Sequence, residues 1–219
     1  MRMGGFGSRK ARGLKIGLTL AGLAIGFAPA ASAQTLAALP NAATIGKVET
    51  TGTARPVQGW VKFCDRYPGE CKLNIAEAST VTLSGKTWKA LNAVNRKVNA
   101  TIKPRTDMEH WGVVDRWDLP DDGMGDCEDF QLLKRKILVE QYGLPKRALR
   151  MTVVIDEQGE GHAVMMVRTD EGDLVLDNKR SAILPWHQTG YVFVKREGQD
   201  GRDWVSLGEQ TSPTTTANR

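Results

Sequence analysis

The sequence changes period at Pro145, and this constrains the fold more than any other feature. Before it, apolar residues recur at helical spacing: Trp88, Leu91, Val94, Val98 and Ile102 stand three or four residues apart. A helix is predicted over 82–102, with Thr82 or Ser84 as its cap and Lys103-Pro104 as its end. A second is predicted over 126–142, with Phe130, Leu133, Ile137 and Leu138 on its apolar side and Gly143 as its stop. After Pro145 the chain reads as short strands at 151–155, 162–168, 173–177, 191–195 and 204–207. Turns rich in Gly, Asp and Glu separate the first three, at 156–161 and 169–172, which suggests an antiparallel meander. Helices first and strands after imply an α+β fold, with helices packed on an antiparallel sheet.

The last helix before this change of period opens on a conspicuous string, Gly125-Asp126-Cys127-Glu128-Asp129-Phe130. It follows a loop that begins near His110 and ends in a Gly/Asp-rich turn. Asp126 is a good helix cap, and a cysteine in the first turn feels the positive end of the helix dipole. That field favours a thiolate nucleophile. The carboxylates of Asp122, Asp126, Glu128 and Asp129 oppose it, because negative charge disfavours a further anion nearby. The arrangement makes chemical sense if a cation neutralises the acids; otherwise the acids are a cap and a solvated first turn.

The first 33 residues carry Arg2, Arg9, Lys10, Arg12 and Lys15, then an apolar run over 16–27, then Ala31-Ser32-Ala33. This is the pattern of a cleaved secretory signal peptide, with a periplasmic or secreted product. The net charge of +5 belongs to that segment, since the remaining 25 basic and 25 acidic residues balance. No basic stripe interleaved with aromatics remains, so nucleic acid is not an expected partner. Residues 34–58, rich in Ala, Thr, Gly and Pro, read as a linker or loose N-terminal segment, 59–208 as the folded domain, and 209–219 as a flexible tail.

Export favours disulfides, and Cys64 and Cys71 bracket a turn-rich loop that can bring them together. If they pair, Cys127 is the odd thiol. A nucleophilic cysteine needs a base and a group that orients the base. A turn centred on residues 170–171 sets Val164 opposite Asp177, which makes His162 and Asp177 diagonal neighbours on one face of the sheet. A one-residue slip would separate them. His110 and His187 are the rival bases. No His-Glu-x-x-His spacing occurs, which argues against a zinc hydrolase.

Several segments, in order, resemble the bacterial transglutaminase-like cysteine proteinases. They are Trp111-Gly112, Asp115-Arg116-Trp117, Pro120, the Gly125–Phe130 string, Gly161-His162-Ala163-Val164 and Leu176-Asp177-Asn178. The resemblance spans roughly residues 60–207. It implies a papain/transglutaminase-type fold with the cysteine opening a helix. It implies Cys127 as nucleophile, His162 as general base and acid, and Asp177 as the group that orients His162. It implies calcium (Ca2+) held by Asp126 and Glu128, with Asp115 or Asp129 as further ligands. Characterised members are periplasmic, clip large surface adhesins and thereby release bacteria from biofilms, and are sequestered by an inner-membrane receptor for a cyclic dinucleotide. A protein substrate of that kind and such a receptor are the partners implied. Two other readings use the same fold: a transglutaminase- or amidase-like acyl transferase, and a non-catalytic exported binding module.

Overall fold

The computed structural model describes residues 45–208; the expected export signal, residues 34–44 and the tail at 209–219 lie outside the described residues. The chain begins with β1 (Gly52–Ala54), α1 (Gln58–Arg66) and α2 (Pro68–Cys71). It continues through α3 (Gly85–Thr101), β2 (Lys103–Pro104), α4 (Asp107–Trp111), β3 (Met124–Gly125) and α5 (Cys127–Tyr142). Six strands follow: β4 (Leu149–Ile155), β5 (Gly161–Arg168), β6 (Asp173–Leu176), β7 (Leu184–Pro185), β8 (Val192–Glu197) and β9 (Trp204–Ser206).

Both long helices form where their periodicity puts them. The Ser84 hydroxyl accepts from the Thr87 amide at 3.1 Å and caps α3. Gly143 closes α5 with φ of 66°, a left-handed turn that glycine adopts without strain. The loop expected from His110 instead starts after α4. Thr106 and Glu109 form a capping box there, and Gly112 ends the helix at φ 68°. Five residues are too few for a periodic signal, so only the caps betray α4.

The sheet has seven strands in the order β1-β9-β8-β4-β5-β6-β7, antiparallel throughout. It is not a simple meander. β4 to β7 run as one, but β8 then returns to the far side of β4, and β1 pairs with β9 at the edge. Alternation announces strands without naming their partners, because pairing is a non-local choice.

Alternate residues of each strand serve two faces. Leu149, Met165, Val167, Leu174 and Leu176 pack against Trp88, Leu91, Val94 and Val98 of α3 and Phe130 and Leu138 of α5. Val154, Val164, Met166 and Val175 face the other way, onto Tyr191, Phe193 and Leu207. Trp60, Phe63, Trp117 and Trp204 fill the space beside α1, around a Cys64–Cys71 disulfide with Cα atoms 5.5 Å apart. Each fully buried Leu, Val or Phe contributes about 1.5–3 kcal/mol relative to exposure.

One buried ion cluster ties α5 to the sheet. Glu197 of β8 accepts from Arg135 at 2.7 Å and 2.9 Å, from Arg150 at 2.7 Å, from the Met151 amide at 2.9 Å and from the Trp60 indole at 2.5 Å. Burial alone would raise the Glu197 carboxyl, but Arg135 and Arg150 outweigh it and hold its pKa at about 2.

Candidate active site

Cys127 is the first residue of α5 and is completely buried. Helix α5 lies over β5, and the two meet at this residue: the Ala163 amide donates to the Cys127 sulfur at 3.3 Å. His162 precedes Ala163 on β5 and is also completely buried. The β5–β6 register pairs Met165 with Leu176, so Val164 falls opposite position 177, as the turn chemistry at 169–172 predicts. His162 Nε2 and Asp177 Oδ1 are 2.9 Å apart. Cysteine, histidine and aspartate are thus gathered around one point of the sheet.

Asp177 is held from several sides. Its Oδ2 accepts from the Tyr191 hydroxyl at 2.6 Å, and its Oδ1 accepts from the Lys179 amide at 3.0 Å. Tyr191 also stands edge-on to the His162 ring, with centroids 5.7 Å apart. Burial would raise the Asp177 carboxyl, but the His162 hydrogen bond and charge, with Tyr191 and Lys179, bring its pKa down to about 2. Asp177 is therefore an anion at neutral pH, as the partner of an imidazolium must be.

Nothing local in the sequence marks Tyr191, because its role needs the β7–β8 connection to fold over β6. Nothing local marks Lys134 either. It is buried on α5 and donates to Gln131 at 3.2 Å, and burial, opposed by Asp177, lowers its pKa to about 7. The rival histidines sit elsewhere: His110 is 2.7 Å from Asp122 and stacks on Trp111, while His187 is exposed beside Trp186.

The acids around Cys127 are not a solvated first turn. Asp126, Glu128 and Asp129 are all buried. Asp126 occupies the cap position of α5, yet its side chain makes no capping hydrogen bond, and its Oδ1 is buried without a hydrogen-bond partner. Asp122, by contrast, is exposed and pairs with His110, outside the cluster. Asp115 reaches the cluster from the loop after α4, while accepting from the Gly59 amide and the Trp117 indole at 3.2 Å each. Asp107, the first residue of α4, is the member the sequence concealed. Its position after Thr106 reads as an ordinary first-turn acid.

Carboxylate oxygens of Asp107, Asp115 and Glu128 lie within 4.8 Å of one another, as do those of Asp107, Asp126 and Asp129. Burial, then mutual repulsion, drives these acids upward: Asp107 to about 6, Asp126 to about 7, and Glu128 and Asp129 well above their ordinary range. The thiol is raised too, by burial first and then by Glu128 and Asp126. It donates to Glu128 Oε2 at 3.0 Å. Convergent carboxylate oxygens with an unpartnered buried oxygen among them are compatible with the donor set of a hard metal ion. The packing leaves no slack: a Cβ on Gly125 would come within 2.6 Å of Asp129 Oδ2, and one on Gly59 within 2.5 Å of Asp115 Oδ2.

The sequence of residues 49–212 matches the model of the bacterial transglutaminase-like cysteine proteinases. The chain belongs to this family. It is accordingly a cysteine peptidase with a protein as its substrate, built on the transglutaminase-like fold. No curated protein matches the chain in sequence. Solved structures of Legionella pneumophila LapG are similar. The EGTA-treated form is 28% identical, covering 58% of this chain and 70% of that one, with a TM-score of 0.47. The calcium-bound form is 27% identical, covering 59% and 74%, with a TM-score of 0.48. In this proteinase no described helix is long and apolar enough to cross a membrane.

Proposed function

We propose that this proteinase cuts a peptide bond with Cys127 as nucleophile, His162 as general base and acid, and Asp177 as the group that orients His162. The observation that carries the reading is the Ala163 amide on the Cys127 sulfur, next to an imidazole that is itself held to Asp177 at 2.9 Å. His162 takes the thiol proton, and the sulfur attacks the carbonyl carbon. The C–N bond breaks as His162 returns that proton to the leaving amine. Water, deprotonated by His162, then hydrolyses the thioester and restores the thiol. The backbone N–H of Cys127, at the start of α5, is a suitable donor to the developing oxyanion. A cleft of about 240 Å³ lined by Pro104, Arg105, Asp126, Asn178 and Lys179 opens beside the chain neighbours of Cys127 and Asp177, and is the groove assigned to the peptide in this reading.

The acid cluster is the calcium site in this reading. Asp126, Glu128 and Asp115 hold the ion, joined by Asp107 and Asp129, and the orphaned Asp126 oxygen supports the assignment. Bound calcium supplies the positive charge that a thiolate among carboxylates requires. Residues 1–33 direct export, 59–208 form the peptidase with residues 45–58 packed on it through β1, Ile45, Val48 and Val57, and the substrate is a cell-surface or periplasmic protein such as a large adhesin. The implied regulator is an inner-membrane receptor.

The test compares the surface and medium proteomes of cells carrying the wild type or Cys127→Ala. A surface protein should be shortened and shed only with the wild type. His162→Ala should reduce cleavage of that protein by about 10²–10⁴-fold. Indistinguishable proteomes, or an unaltered rate in the histidine variant, would overturn the proposal. Amine adducts in place of a cut chain would redirect it to acyl transfer.

A further inference from the structure

At the other end of the sheet, two arginines face the same way into a cleft. Thr152 of β4 pairs with Val164 of β5 and with Arg196 of β8, so these three residues share a face. Arg168, four residues beyond Val164, lies on that face too. Both arginines line a cleft of about 530 Å³, with Val48, Glu49, Asp200 and Asp203 among the other walls. Arg168 is six residues from His162 along β5, about 20 Å at strand spacing.

Arg196 is only 3% exposed. Its Nη1 donates to the Glu197 carbonyl at 3.1 Å, and its Nε is buried without a hydrogen-bond partner. It makes no salt bridge with a carboxylate among the described residues. The other two buried arginines differ, since Arg135 and Arg150 share Glu197. Burial, then repulsion by Arg168, brings the Arg196 pKa down to about 10, more than the attraction of Asp173 and Asp203 offsets. Arg168 donates its Nε to Asp173 at 3.2 Å and its Nη1 to Gln199, so its guanidinium is fixed in place. A buried guanidinium without a counter-ion is costly unless an anion joins it.

The acids of the cleft limit what that anion can be. Asp200 is engaged by Arg147 at 2.7 Å, but Glu49 and Asp203 are exposed on the walls. They would repel a polyanion such as a nucleic acid or an acidic tail. We propose that this cleft is a second binding site, distinct from the thiol, for a ligand that offers a single oxyanion group. Arg196 and Arg168 grip the oxyanion, and Glu49 and Asp203 accommodate the rest. Two sources present this chemistry: a carboxylate on a peptide chain and free phosphate.

Isothermal titration calorimetry on the whole protein at fixed ionic strength tests the site. The probes are inorganic phosphate and a blocked tripeptide with a single aspartate, against its asparagine counterpart. At least one anionic probe should bind saturably, one per chain, and the asparagine peptide should not. Arg196→Gln and Arg168→Gln should each weaken binding by about tenfold or more. Arg96→Gln, an exposed control, should change nothing. Circular dichroism checks folding, and if Arg196→Gln unfolds, Arg168→Gln decides the matter. Binding of phosphate alone names a free ion as the source, and binding of the aspartate peptide names a protein ligand. No saturable binding of either anion, or equal binding by wild type and the folded arginine variants, overturns the proposal.

Discussion

Helix α5 contributes to two buried charge clusters, and they solve the same problem in opposite ways. Arg135 belongs to the first, in which one carboxylate, Glu197, lies between two guanidiniums. Glu128 and Asp129 belong to the second, in which Asp107, Asp115 and Asp126 add only more carboxylates. The first carries its counter-charge in the chain, and its carboxyl is driven down. In the second, the pull of Arg116 on Asp107 and of Lys195 on Asp115 is outweighed by burial and mutual repulsion, and its carboxyls are driven up. A cluster of the first kind is a structural joint. One of the second kind is a receptacle whose missing charge must come from a proton or a cation.

That contrast can be broken most sharply at Glu197. Glu197→Gln leaves Arg135 and Arg150 buried without their anion and should cost about 3–5 kcal/mol in urea unfolding. Acid reaches the same joint in the wild type. The Glu197 pKa lies below its ordinary value of 4.5, at about 2, so its contribution is complete above 4.5 and is lost as pH falls through 2. The urea midpoint should drop over that window, and the Glu197→Gln variant should lack this part of the drop.

Calcium probes the other cluster. Calorimetry in calcium against chelator should show a rise in Tm, reaching a stabilisation of about 2.7 kcal/mol at a hundredfold excess over Kd. An identical Tm in both buffers would remove the ion from the account. The smallest effect has the most telling sign. Asp126→Asn removes one repelling charge, so the metal-free variant should be more stable than the metal-free wild type, on the order of 1 kcal/mol. In saturating calcium the order should reverse, because a ligand has been lost. A variant less stable in both buffers would mean that Asp126 is an ordinary structural acid.

Much of this arrangement is legible in the chain. The spacing of Trp88, Leu91, Val94 and Val98 reports α3, and all four are buried against the sheet. The turn at 169–172 sets a register that brings His162 and Asp177 together, because hairpin register is a local property. Asp107 could not be read in this way. It stands 19 residues before Asp126, and a short capped helix brings it to the cluster. Tyr191 and Lys134 are hidden for the same reason, since Tyr191 bonds Asp177, and Lys134 feels its charge, only when distant segments pack.

The string from Gly125 to Phe130 marks that division. By itself it determined where a helix begins, that a lone thiol opens it, and that acids flank the thiol, since caps, glycine and charge act over a few residues. It did not determine whether the acids face water. Only the tertiary structure decided that, by laying α5 over β5 and bringing Asp107 in from α4 and Asp115 from the loop after it. Burial removes the solvent that would have screened those charges, and the repulsion it leaves behind turns a helix start into a site.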